Sequence, residues 1–205
     1  MFKFKMVAAS AAFALPLALG QAQAQTPEPD IKQLVTPQVL EEMYKIVSSD
    51  IVRISVNAQN DKLHTLPQAE IDTLDKQWVA ERKSDDKPLI AATLSNPLSV
   101  YLARVQGKSL GLYAEIFIMD QNGLNVGQSS VTSDFWQGDE DKFQKTFMAQ
   151  DKGLFIDAAE WDDEAKIWRG QVSFPLFEGP DNKKIGAVTV ELNLTELERR
   201  AGAGS

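Results

Sequence analysis

LYAEIFIMDQNGLNVGQ, residues 112–128, decides the fold. Leu112 to Met119 is rich in aromatic and β-branched side chains, which suit a pleated, half-buried strand. Asp120-Gln121-Asn122-Gly123 supplies turn chemistry, and Leu124 to Gln128 resumes the extended run, so the stretch predicts an antiparallel hairpin. Alternate residues of a strand share a face, which groups Tyr113, Glu115 and Phe117 on one side of the first arm.

Upstream the spacing is helical. Thr36-Pro37 reads as cap and first helical residue, and Val39, Leu40, Met43, Ile46, Val47 and Ile54 predict one long amphipathic helix to about Asn57. A second helix starts at Thr65-Leu66-Pro67-Gln68, a capping-box pattern, with Ile71, Leu74 and Trp78 on one stripe. After a charged loop from Lys83 to Lys87, Asn96-Pro97 opens a third, with Leu98, Tyr101, Leu102 and Val105 as its stripe and Gly107 as its left-handed stop.

Downstream, Asp139 to Met148 predicts a short helix with acids in its first turn. Gly153 to Trp161 and Lys166 to Phe177 form a central hairpin across Asp162-Asp163-Glu164-Ala165, with Trp161 and Trp168 as a cross-strand pair. Ile185 to Leu194 is the last strand, with Val188, Val190 and Leu192 on one face, and Thr195-Glu196-Leu197-Glu198 starts a final short helix. Helices followed by consecutive short strands predict an α+β fold with one five-stranded antiparallel sheet. One face packs on the long helices; the other is closed by Ser129 to Asp151.

The start of the chain reads as an export signal: Lys3 and Lys5, an apolar run from Val7 to Leu19, then Ala22-Gln23-Ala24. Residues 1–24 are thus assigned to a signal peptide, 25–35 to a flexible tail, 36–200 to the domain and 201–205 to a flexible end. Removing two lysines and no acid leaves 19 basic against 29 acidic residues, so the formal charge moves from -8 to -10. That balance disfavours nucleic acid and anionic membrane surfaces as partners. No later segment has the length of a membrane span, so a periplasmic product without direct membrane insertion is expected.

Catalytic signals are scarce. The chain has Cys 0 and His 1, so a Cys-His pair and a nitrogen or sulfur zinc site are excluded, and His64 reads as a solvated helix-end residue. No phosphate-binding glycine motif occurs, and no cofactor is expected. Carboxylates are plentiful, which makes any one pair uninformative; Asp162-Asp163-Glu164 reads as a solvated hairpin tip.

The hairpin YAEIFIMDQNGLNVGQSS, the intervening DFWQGDE (Asp134 to Glu140) and the closing strand KIGAVTVELNL, all behind a long N-terminal helix, resemble the single Cache family of PAS-like extracytoplasmic sensors, also called PDC domains. The resemblance covers roughly Thr36 to Leu197. It implies a PAS-like sheet and small-molecule sensing without catalysis. Most of these sensors are ectodomains of chemoreceptors, histidine kinases or diguanylate cyclases; here a short polar tail follows Leu197, so the expectation is a free periplasmic module signalling through a separate membrane receptor, kinase or cyclase.

A cleft between sheet and cover predicts the site. Tyr113, Glu115 and Phe117 line it from the first strand, Phe135 and Trp136 form an apolar lid with Gln137 orienting the solute, and Arg104 and Arg169 are the cations suited to a carboxylate. The expected ligand is a small metabolite, a carboxylate or an amino acid. Two alternatives stay open: Trp136 as a core plug, and the whole chain as a protein-interaction module whose cleft is packed shut and whose N-terminal helix pairs with a second copy.

Overall fold

A computed structural model describes residues 27–150 and 153–203; the expected signal peptide lies outside them. The chain runs α1 (Ile31–Leu34), α2 (Pro37–Val47), α3 (Asp50–Leu63), α4 (Gln68–Glu81), α5 (Pro88–Ser95) and α6 (Pro97–Lys108). Then come β1 (Tyr113–Met119), β2 (Asn125–Gln128), α7 (Asp141–Gln144), β3 (Phe155–Ile156), β4 (Glu160–Asp162), β5 (Ile167–Glu178), β6 (Lys183–Asn193) and α8 (Leu194–Ala203). The strands form one antiparallel sheet in the order β2-β1-β6-β5-β3, with β4 also pairing to β5. The fold is α+β, as the hairpin and the helix-then-strand order predicted. The count is six strands rather than five because Asp157 to Ala159 interrupts the third predicted strand.

The closing hairpin β5–β6 is the longest pairing and runs from Arg169↔Asn193 to Glu178↔Lys183. Its helix-side face carries Val172, Phe174, Val188, Val190 and Leu192, which join Ile116 and Ile118 of β1 in the main core against Met43, Val52, Val56, Leu98 and Leu102. Trp161 and Trp168 are direct cross-strand partners with ring centres 5.5 Å apart, as expected.

Four boundaries differ from expectation. The predicted long N-terminal helix is two helices, because Ser49 is extended (φ -66, ψ 135) and the Ser48 hydroxyl donates to the Lys45 carbonyl at 2.8 Å. The face expected to pair with a second copy is therefore divided. The tail assigned to 25–35 is folded from Asp30: its carboxylate caps α1, and Ile31 and Val35 enter the main core. At the other end α8 continues to Ala203, so 201–203 is helical rather than a loose end. Gly107 does not stop α6, which runs to Lys108; Leu110 and Gly111 take the positive φ instead.

Besides α1, helix α5 escaped prediction. In α5 no side chain of its own caps the first turn. The cap comes from α4, whose buried Glu81 accepts the Ile90 backbone N–H at 2.9 Å while Gln77 donates to its other oxygen at 2.7 Å. Burial pushes the Glu81 carboxyl up, but the Ile90 and Gln77 bonds outweigh it and hold the group below the usual carboxylate range.

Candidate ligand-binding cleft

The sheet face opposite the main core carries Glu115, Phe117 and Met119 from β1, Arg169, Gln171 and Ser173 from β5, and Ala187, Thr189 and Glu191 from β6. Register places them together: Glu115 lies directly opposite Glu191, Phe117 opposite Thr189, and Ser173 opposite Thr189. The last pair joins hydroxyls at 2.9 Å, fully buried. Phe117, Met119 and Ala187 are covered by Phe143, with Phe147 stacked on it at 5.1 Å. Lys184 fastens that cover from β6, donating to the Thr146 and Phe147 carbonyls at 2.9 and 3.3 Å and also to Ala149.

Where the cover stops, a polar cavity of about 250 Å³ remains, lined by Glu140, Lys142, Asp157, Glu160, Arg169, Gln171 and Glu191 among others. A larger concavity of about 810 Å³ lies by α2 and the β5–β6 hairpin, walled by Tyr44, Val47, Phe174, Leu176 and Phe177. Its one lysine, Lys184, is already committed to the three cover carbonyls, and its other polar groups, Ser48, Gln150 and Asn182, are uncharged.

Both cations of the small cavity are engaged. The Arg169 guanidinium reaches Glu191 at 2.8 Å and Asp162 at 2.5 Å. The Lys142 ammonium is 2.8 Å from Glu140, donates to Gln137 at 3.3 Å and stands 5.5 Å from the centre of the Phe117 ring. Its side chain is only 13% exposed. Among the described residues Glu115, Asp157 and Glu160 have no ion-pair partner; Glu115 accepts from the Ser130 hydroxyl at 2.6 Å. Burial, and then the facing Glu191, push the Glu115 carboxyl up, while the Ser130 bond, Lys142 and Arg169 pull it down; the net displacement is upward. Of the acids that line the cavity itself, Asp157 and Glu160 are the two without a cation, and they give it unpaired negative charge.

Of the sequence-predicted residues, Glu115, Phe117 and Arg169 come together on this face, and Gln137 touches it through Lys142. Tyr113 does not. The register of β1 against β6 shifts between Tyr113 and Glu115, which turns the Tyr113 ring into the helix-side core. Arg104 is exposed on α6, the helix packed against the opposite side, and has no place in the cleft.

Phe135 and Trp136 are not a lid over the sheet. Phe135 stacks on Trp78 at 5.1 Å in a satellite core with Ile71, Ile90 and Leu124. Trp136 pairs with Leu124 beside β2 and donates its indole N–H to the Asn122 carbonyl at 2.8 Å, packed on Gly123 and Gly138. The Asp75 carboxylate of α4 receives both backbone N–H groups, at 2.9 and 3.0 Å. The aromatic cluster extends the β2 edge and holds α4 and α5; the core-plug alternative describes it better than the lid.

Sequence reasoning missed Lys142, Glu140, Asp157, Glu160 and Glu191. Glu140 stood in the DFWQGDE run but read as a first-turn acid, and Glu191 carried a signal as a charge alternating off the valine face of an otherwise apolar strand. Among the described residues no cluster of three or more His, Cys, Asp or Glu has the arrangement to hold a metal ion, and no helix is long and apolar enough to cross a membrane.

No protein-family model and no curated protein matches the chain. Solved structures similar to it are sensory domains. The ligand-binding domain of the Campylobacter jejuni chemoreceptor Tlp3, in complex with 4-methylisoleucine, is 14% identical over 82% of this chain and 65% of that one, with a TM-score of 0.38. The sensor domain of the V. cholerae histidine kinase DctB is 16% identical over 79% and 58%, at 0.36. The ligand-binding domain of the Pseudomonas aeruginosa amino-acid chemoreceptor PctC, in complex with GABA, is 13% identical over 63% and 56%, at 0.33. This chain thus spans about two thirds or less of each of these domains. At such TM-scores, function has to be argued from the cleft itself.

Proposed function

We propose that this protein is an extracytoplasmic sensor module that binds a small, positively charged solute in the polar cavity on the β5–β6 face, without catalysis, and passes occupancy to a membrane receptor, kinase or cyclase. The observation that carries the reading is the charge state of the cavity. Both its cations are already bound to carboxylates, while Asp157 and Glu160 of its lining have no cation. A free carboxylate would have to displace Asp162 or Glu191 from Arg169, and those are held in place by the chain. An ammonium group would meet acids that lack a cation. This replaces the expected carboxylate with an amine or the amino end of an amino acid, bound by Glu160 and Asp157 with Arg169 and Gln171 as supporting walls. The leader-like start of the sequence and its resemblance to Cache sensors support a periplasmic location.

Thermal-shift screening separates the charge classes, because a ligand that binds only the native state raises its midpoint. Alkylamines, diamines and amino acids are expected to raise it, and matched mono- and dicarboxylates to leave it unchanged. A response to carboxylates alone would overturn the reading.

A further inference from the structure

Lys142 has an environment that a surface lysine does not need. It lies on the short cover helix α7, yet its side chain is nearly buried, its ammonium faces the Phe117 ring at 5.5 Å, and it bonds Glu140 and Gln137. Glu115 also feels its charge. An aromatic face with converging carboxylates and amide oxygen is a good receptor for an ammonium ion, since ring quadrupole and acids both favour positive charge. Burying a lysine head in this way costs desolvation, which only such a set of partners offsets.

Resting on the cationic-solute reading above, we infer that the Lys142 ammonium is a tethered occupant of the cavity's own cation site, so that an incoming ammonium ligand must displace it from Phe117 and Glu140. Displacement releases the one charged side chain of α7 that reaches into the cavity. The neighbouring Lys145 does not line it: it is bonded to Asp141 at 2.6 Å and stands 4.6 Å from the centre of the Phe155 ring. Freed from the sheet face, α7 and the segment up to Ala149 are then held chiefly by Phe143, Phe147, Lys184 and the Lys145 ammonium over the Phe155 ring. Ligand identity and cover position are thereby linked through one side chain. For this to shift a population, the ligand must bind the lysine-out state better than the lysine-in state, and the competition supplies that difference.

Chemical complementation tests it. The Lys142→Ala protein removes the ammonium and most of its stem, and n-butylamine supplies both. n-Butylamine is expected to raise the midpoint of Lys142→Ala saturably and to bind it at least about tenfold more tightly than wild type, the factor for a site whose free form is populated to about a tenth. n-Butanol, of the same shape without charge, is expected to do nothing. Lys142→Met serves if Lys142→Ala fails to fold; it keeps the apolar stem, and methylamine replaces n-butylamine as the probe. Equal amine affinity in wild type and the folded variant would overturn the inference, as would no saturable binding by the variant or an equal response to the alcohol. Amine binding by the variant with none by wild type would keep the tethered-lysine site and remove the sensing reading.

Discussion

Arg169→Met tests the charge arrangement at the heart of the cleft. Methionine keeps the apolar stem, so packing changes little, but Asp162 loses its partner at 2.5 Å, and Glu191 loses its partner at 2.8 Å and is left directly opposite Glu115. The guanidinium is 32% exposed and Glu191 14%, so the bond lies between two regimes. A charge-assisted hydrogen bond is worth about 1.5–3 kcal/mol when shielded, and an exposed pair about 0.2–1 kcal/mol. A value of about 1–1.5 kcal/mol follows, and exposing like charges across a strand pair adds up to about 1 kcal/mol. At about 2–4 °C per kcal/mol for a domain of this size, a loss near 2 kcal/mol lowers the thermal midpoint by roughly 4–8 °C.

A second substitution separates charge from packing. Glu191→Gln placed in the Arg169→Met background removes the unpaired carboxylate and is expected to recover about half the loss, a coupling read from the double-mutant cycle. The loss is also expected to be larger at pH 8 than at pH 5. Glu115 has its folded value raised, so its ionisation opposes folding as pH rises through that value and the opposition is absent below the ordinary carboxylate range. Differential scanning fluorimetry of the four proteins at both pH values decides the matter. Equal losses with and without Glu191→Gln, and at both pH values, would refute the electrostatic account and leave Arg169 as a packing residue.

Glu115→Gln alone is expected to raise the midpoint at pH 8 by roughly 1–3 °C, from about 0.2–1 kcal/mol of relieved repulsion, with the gain disappearing below about pH 4.5; a pH-independent gain would argue against charge as the cause. Gly186→Ala places a Cβ 2.1 Å from the Met119 carbonyl oxygen, backbone that cannot step aside without opening the β1–β6 pairing, whereas Gly127→Ala meets only the Leu98 side chain. Denaturant midpoints should therefore fall by the equivalent of about 2–3 kcal/mol for the first and clearly less for the second. Trp78→Ala, which removes a fully buried ring and its bond to the Thr132 carbonyl at 3.1 Å, is expected to cost about 3–5 kcal/mol. Trp136→Ala should weaken the β2 edge without changing amine affinity; loss of affinity with unchanged stability would restore the tryptophan lid.

The fold was legible wherever it is written locally. The period-two run of β1, the Asp120–Gly123 turn and the valine face of β6 each announce themselves within ten residues, and the main core follows from them. The misreadings occur where a distant group decides. Helix α5 begins without a cap of its own because Glu81, nine residues upstream of Ile90, caps it from another helix. The break at Ser48-Ser49 interrupts an apolar stripe that continues on both sides, so spacing alone does not show it. Tyr113 shares its alternation with Glu115 and Phe117 in the sequence, but one irregularity against β6 reverses its face.

The site was less legible than the fold for the same reason, carried further. Phe135 and Trp136 drew notice as large aromatics beside a sheet, yet their position is fixed by Asp75 and Trp78, some sixty residues away in sequence. Lys142 carried no signal, since a lysine one residue into a helix normally faces water; it faces the sheet because Phe143, next to it, is drawn onto Phe117. The sign of the cleft was hidden too. A chain with 29 acids does not say which of them lack a cation; that follows only from β1 and β6 setting Glu115 against Glu191 while Arg169 is taken by Asp162 across β4–β5. Reading an arginine as a carboxylate receptor requires that it be free, and freedom is a property of register, which a single sequence expresses only through the residues it brings opposite one another.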